Sequence, residues 1–158
     1  MLSGGTANSV GNNSLGGIIS STEVSGSLNS FWDVVSGTES SVGDVEFRCL
    51  YVKNNHGSLT LYNAYVWIST NTPSTDTTVA IALGAAAINA TEAAIANESA
   101  VPPAVSFSAP SSYATGLLIG DIPAGQYKAV WVRRTVSAGA AAYASDSVTI
   151  SAQGDTEA

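Results

Sequence analysis

Histidine, cysteine and methionine occur once each in the 158 residues, as His56, Cys49 and Met1, and lysine and arginine together number only five. Each scarcity excludes something. A single cysteine leaves no intramolecular disulfide. One His and one Cys cannot fill a tetrahedral zinc site. Five cations, none before Arg48, cannot form the clustered basic surface that grips phosphate, so nucleic acid and anionic membrane are excluded as partners. Long hydrophobic runs are missing too: the most apolar stretch, Val79 to Ile95, is mostly alanine and is interrupted by Gly84, Asn89 and Glu92, well short of the ~18 residues of a membrane span. The start, Met1-Leu2-Ser3-Gly4-Gly5, has neither a basic region nor an apolar run of a secretory signal.

Charge is low overall. Twelve acids and five bases give a net −7 and make up 11% of the chain, against about 25% in ordinary soluble domains. Polarity comes instead from uncharged residues, 37 of them Ser or Thr. The hydrophobic fraction, 45%, suffices for one core, so the expectation is one folded domain with an arm.

The arm is residues 1–43, rich in Gly, Ser, Thr and Asn and carrying only Glu23, Asp33 and Glu39 as charges. Its apolar anchors are Ile18, Ile19, Leu28, Phe31, Trp32, Val34 and Val35. Val24, Leu28, Phe31 and Val35 fall at helical spacing with Ser21 or Thr22 as a cap, although Gly26 weakens a helix there. Two placements are open: Phe31 and Trp32 close one end of the domain core, or the arm docks on a neighbouring subunit.

From Val45 the pattern turns to β. Val45–Val52 and Leu59–Ile68 flank the turn cluster Lys53-Asn54-Asn55-His56-Gly57 and read as two antiparallel strands joined by a short loop. Val79, Ile81 and Leu83 alternate with alanine as a further strand. Gly84 to Ser99 reads as β or irregular, Val105 and Phe107 as a short strand, and Leu117 to Ile119 leads to the turn Gly120–Gln126. Tyr127–Val136 is the clearest strand, and Tyr143 to Ser151 closes the domain with Val148 and Ile150 inward, leaving Gln153 to Ala158 without an anchor. Seven or eight short strands separated by turn residues predict an all-β fold, a β-sandwich of Ig-like or jelly-roll topology over residues 44–152, with the arm before it and residues 153–158 as a tail.

Chemistry is hard to find. His56 lies in a turn, no Gly-x-Ser-x-Gly elbow is present, and the carboxylates Asp44, Glu46, Asp76, Asp121 and Asp146 show no calcium-loop spacing. No phosphate-cradling glycine loop occurs. Cys49 shares parity with Phe47 and Tyr51 and reads as a buried thiol. The expectation is therefore no catalytic residue, no cofactor and no metal. The one local group of cations is Lys128, Arg133 and Arg134; on a strand, Arg134 faces with Val130 and Val132, and Arg133 with Tyr127 and Trp131. Their charges reach solvent or pair with acids of a partner subunit.

Several stretches together resemble small virion proteins of tailed bacteriophages: Gly17 to Glu23, Glu46 to Asn54, Val66 to Ser69, Val105 to Pro110, and Leu118 to Arg134 with its Gly120-Asp121-Ile122-Pro123-Ala124-Gly125-Gln126 turn. The resemblance runs from about Gly16 to Gly154 and is most like capsid decoration or cement proteins. It implies a structural protein on the outer capsid surface, a homotrimer whose partners are the major capsid protein and its own copies. The partner-facing residues would be Ile18, Ile19, Phe31, Trp32, Arg133 and Arg134. The alternatives are a tail, baseplate or head-fibre protein, and a carbohydrate-binding attachment module that stacks sugars on Trp67, Trp131 or tyrosines.

Overall fold

The computed structural model describes residues 1–4 and 11–157. Among the described residues, eight strands make two antiparallel sheets, the all-β, sandwich-like fold expected. The strands are β1 (Leu2–Gly4), β2 (Ile19–Glu23), β3 (Asp44–Lys53), β4 (Leu61–Thr70), β5 (Thr77–Leu83), β6 (Leu117–Ile122), β7 (Tyr127–Val136) and β8 (Thr149–Asp155). One sheet has the order β2-β1-β3-β7-β5, the other β6-β4-β8. The helix α1 (Gly37–Val42) precedes β3.

The five-stranded sheet is organised by β3 and β7, which pair without a break from Asp44↔Val136 to Lys53↔Tyr127. The middle of each strand is buried on both faces, and so Cys49–Val52 and Ala129–Val132 read as continuous apolar runs rather than strict alternation. Leu50, Val52, Val130 and Val132 face the smaller sheet and meet Ala64, Val66, Ile68, Ile119 and Ile122 there. Phe47, Cys49, Tyr51, Ala129 and Trp131 face the other way. Leu15, Ile95, Val105 and Phe107 cover them, from the chain before β2 and from the long connection between β5 and β6. Trp131, Tyr51 and Cys49 are fully buried in this second layer, each large side chain contributing about 1.5–3 kcal/mol of burial free energy. β1 pairs with β3 only at Leu50 and Tyr51, and beyond it on that edge the amides of Phe47 and Cys49 donate to Glu98 O and Ser14 O at 2.7 Å each.

Several expectations need correction. Val45–Val52 and Leu59–Ile68 do not form a hairpin: β3 pairs with β1 and β7, while β4 pairs with β6 and β8. The chain crosses between sheets after Lys53, and again at the Pro123–Gln126 turn, and Asn54 ties the two crossings together. Its Nδ2 donates to Leu59 O and Ile122 O at 2.8 and 2.9 Å, its amide to Gln126 O, and its carbonyl accepts from Gly125 N. Gly125 sits at φ 75°, a conformation that favours glycine.

Val24 to Val35 is not helical. Serine side chains compete for the backbone there, Ser25 Oγ accepting from Ser27 N and Ser30 Oγ donating to Ser25 O. The helix comes later, at Gly37–Val42, where Ser36 and Glu39 form a reciprocal capping box. Val105 and Phe107 make no strand; Ser108 forms a lone bridge with Ile81. Gln153 to Asp155, expected to lack an anchor, continue β8 against β4, with Tyr65↔Gln153 and Tyr62↔Asp155.

Candidate interaction surfaces

The β3–β7 register sets Glu46 directly opposite Arg134, and Arg48 two residues on shares their face. These three charged side chains have the same strand parity as the core residues Leu50, Val52, Val130 and Val132 and continue that face toward the start of β3. Arg134 Nε donates to Glu46 Oε2 at 2.6 Å, and a second nitrogen contacts the same oxygen. Arg48 pairs with Glu98 at 2.5 Å and lies 3.7 Å from Glu46. Glu46 and Arg48 are 2% and 1% exposed, so these are charges removed from water. Burial pushes the Glu46 carboxyl up from its ordinary 4.5 to about 7, while the guanidiniums of Arg134 and Arg48 pull against that rise.

The N-terminal segment closes over this cluster. Trp32 lies 5.1 Å from the Arg48 guanidinium and 5.0 Å from that of Arg134, ring centroid to carbon. Asp33 contacts Arg134 at 3.5 Å and Arg48 at 3.8 Å, and its carbonyl accepts from Arg134 at 3.0 Å. The carboxylates of Asp33, Glu46 and Glu98 lie within 4.8 Å of one another. Two fixed guanidiniums already answer their charge, which makes the cluster an ionic clamp on residues 32–33.

Of the expected interface residues, the structure therefore gathers Phe31, Trp32 and Arg134. Phe31 meets Trp32 edge to face at 5.2 Å, and both pack against the core between the sheets. Arg133 points to the opposite face, 5.1 Å from the Phe107 ring. Ile19 packs on the second core layer, and Ile18 is 45% exposed. Arg134 finds its acids within its own chain, an outcome the charge pattern alone did not suggest because Glu46 is 88 residues away.

The cations as a group are drawn inward. Arg48 and Arg134 lie in the clamp, Arg133 is half-buried against Phe107, and Lys128 is half-buried and donates to Ala86 O. Lys53 alone is exposed, so the outer charge is almost wholly acidic.

Aromatic residues gather on the outer face of the three-stranded sheet. Tyr113 meets Tyr65 at 4.9 Å and Trp67 at 5.8 Å, both edge to face. Leu118, opposite Tyr65, is 52% exposed. The alternation in β4 places Tyr65 and Trp67 together, whereas Tyr113 arrives from a distant 3₁₀ turn that no spacing rule connects to β4. Trp131, in contrast, is fully buried and is removed as a stacking platform.

Groups with chemical potential sit apart. His56 is exposed and its Nδ1 accepts from Ser58 N and Leu59 N, which occupies the nitrogen in a local turn. Cys49 is fully buried, and burial pushes its thiol far up. No described helix is long and apolar enough to cross a membrane. In comparisons with known proteins, no family model, curated protein or solved structure matches the chain.

Proposed function

We propose that the chain is a structural virion protein, a decoration or cement subunit that binds the outer surface of a tailed-phage capsid and strengthens contacts between capsomers. The observation that carries the reading is the two-sided character of residues 11–43. Ile19, Phe31 and Trp32 pin the segment to its own domain. Ile18, Leu28, Val34 and Val42 stand 45%, 69%, 68% and 71% exposed. A segment fixed from inside and apolar outside is suited to being covered by a neighbour. The acidic, hydroxyl-rich exterior fits a place away from packaged DNA. The resemblance to phage virion proteins points the same way, and it falls largely on β2, β3 and the β6–β7 region. In this reading the protein is not an enzyme, takes no cofactor, and has the major capsid protein and its own copies, as a homotrimer, for partners.

Shells assembled without the chain, incubated with purified protein, test this. Saturable binding and a rise in the shell's melting temperature are expected; shells that neither bind it nor gain stability refute the reading. The Tyr65–Trp67–Tyr113 face favours a second reading, a glycan-binding attachment module. It predicts hits on a bacterial glycan array that vanish in Trp67→Ala.

A further inference from the structure

At the end of the sandwich where β3 begins and β7 ends, Val42, Gly43, Asp44, Val45, Ser99, Val136 and Ala138 line a shallow depression of about 540 Å³. Val42 and Val45 are 71% and 39% exposed, and Val101, just past the rim residue Ser99, is 71% exposed. Val42 and Val101 leave most of their apolar surface uncovered, and Val45 leaves more than a third. The rim is preformed: Ser40 O accepts from Gly139 N and Ala140 N, and Glu39 O accepts from Gly43 N, so α1 and the turn after β7 are held as one unit.

The charge around the depression is one-sided. Asp33, Glu39, Asp44, Glu46 and Glu98 lie at this end of β3 with only Arg48 and Arg134 to answer them, five acids to two bases. Both arginines are buried in the clamp, whereas the Asp33 and Glu98 side chains are 52% and 40% exposed. Asp76 adds a further acid close by, accepting from Ala141 N. Burial is the main cause that raises the Asp44 carboxyl; the charges of Glu39 and Glu98 add to the rise, while the hydrogen bond from the Val45 backbone and the charge of Arg134 oppose it. A cation placed beside it would relieve that crowding.

We propose that this depression is the seat for a segment of the shell protein that presents an apolar side chain flanked by Lys or Arg. The apolar group fills the space between Val42, Val45 and Ala138, and the basic residue faces Asp44, Glu39 and Glu98. This rests on the reading of the chain as a capsid-binding protein. Charge complementarity of this kind sets orientation and encounter rate and weakens with salt.

The test is co-sedimentation of the full chain with shells that lack it, over a salt series, using wild type, Val42→Lys, Asp44→Lys and, as a control on an exposed apolar residue outside residues 11–43 and away from the depression, Leu59→Lys. Wild-type binding that weakens with salt is expected, with a loss of about tenfold or more in both Val42→Lys and Asp44→Lys and little change in Leu59→Lys. Asp44→Asn, which keeps shape and removes charge, carries the test if a lysine variant lowers the melting temperature; it should bind more weakly and with less salt dependence. Wild-type binding retained in Val42→Lys and Asp44→Asn overturns the seat and leaves the capsid reading standing. A wild type that does not bind shells overturns both.

Discussion

Replacing Arg134 by Met removes one partner of a buried ion pair and leaves the other in place. Glu46, 2% exposed, would keep only Arg48 at 3.7 Å, and Asp33 would lose its 3.5 Å contact and the hydrogen bond to its carbonyl. Breaking such a pair costs roughly 3–5 kcal/mol when the orphaned charge stays ionised. That is survivable in a domain with about 5–15 kcal/mol of stability.

The cost should depend on pH. In the wild type the Glu46 carboxyl is raised to about 7, so this group's contribution to stability is fully present below its ordinary 4.5 and is lost as pH rises through about 7. Without Arg134, whose charge pulls the carboxyl down, it rises further. Stability of the two proteins therefore diverges only between about pH 7 and the variant's higher value, by about 1.4 kcal/mol per pH unit. Urea unfolding followed by tryptophan fluorescence at about pH 9 should show the full cost, and at about pH 6 a remainder of about 1–2 kcal/mol. Arg133→Met, on the opposite face against Phe107, should show no such pH dependence. A cost below about 1 kcal/mol at the alkaline end, or one that is equal at both, would refute the account of the clamp.

Other consequences are simpler. Asn54→Ala removes the two hydrogen bonds that join the sheet crossings and strands the Ile122 carbonyl, and should cost about 1–3 kcal/mol in urea unfolding. Gly84→Ala would set a methyl group against the Glu92 carboxylate and 2.8 Å from Ala129 Cβ, and should lower stability by about 1–3 kcal/mol. Cys49 should resist iodoacetamide in the native protein and label fully in urea, with mass spectrometry as the readout; rapid native labelling would contradict its burial.

The elements with strong local patterns were readable from the sequence. The β7 run, the β5 alternation and the burial of Cys49 follow from residue type and parity. Pairing was not readable, because β3 and β4 are both apolar enough to pair with each other, and the hydrogen bonds with which Asn54 holds the crossing between the sheets reach as far as residue 122. The clamp was hidden for a similar reason. Trp32, Glu46, Arg48, Glu98 and Arg134 carry no motif and meet only through β3–β7 register and the course of two long loops. Of the aromatic face, β4 alternation reveals Tyr65 and Trp67, while Tyr113 needs the fold.

The most direct test of the central claim is quantitative mass spectrometry of purified virions. A cement subunit should be present in a fixed, high ratio to the shell protein and should be shed together with capsid strength. Absence from the particle, or only a handful of copies, would contradict the account; a handful would move the chain to the tail, baseplate or fibre.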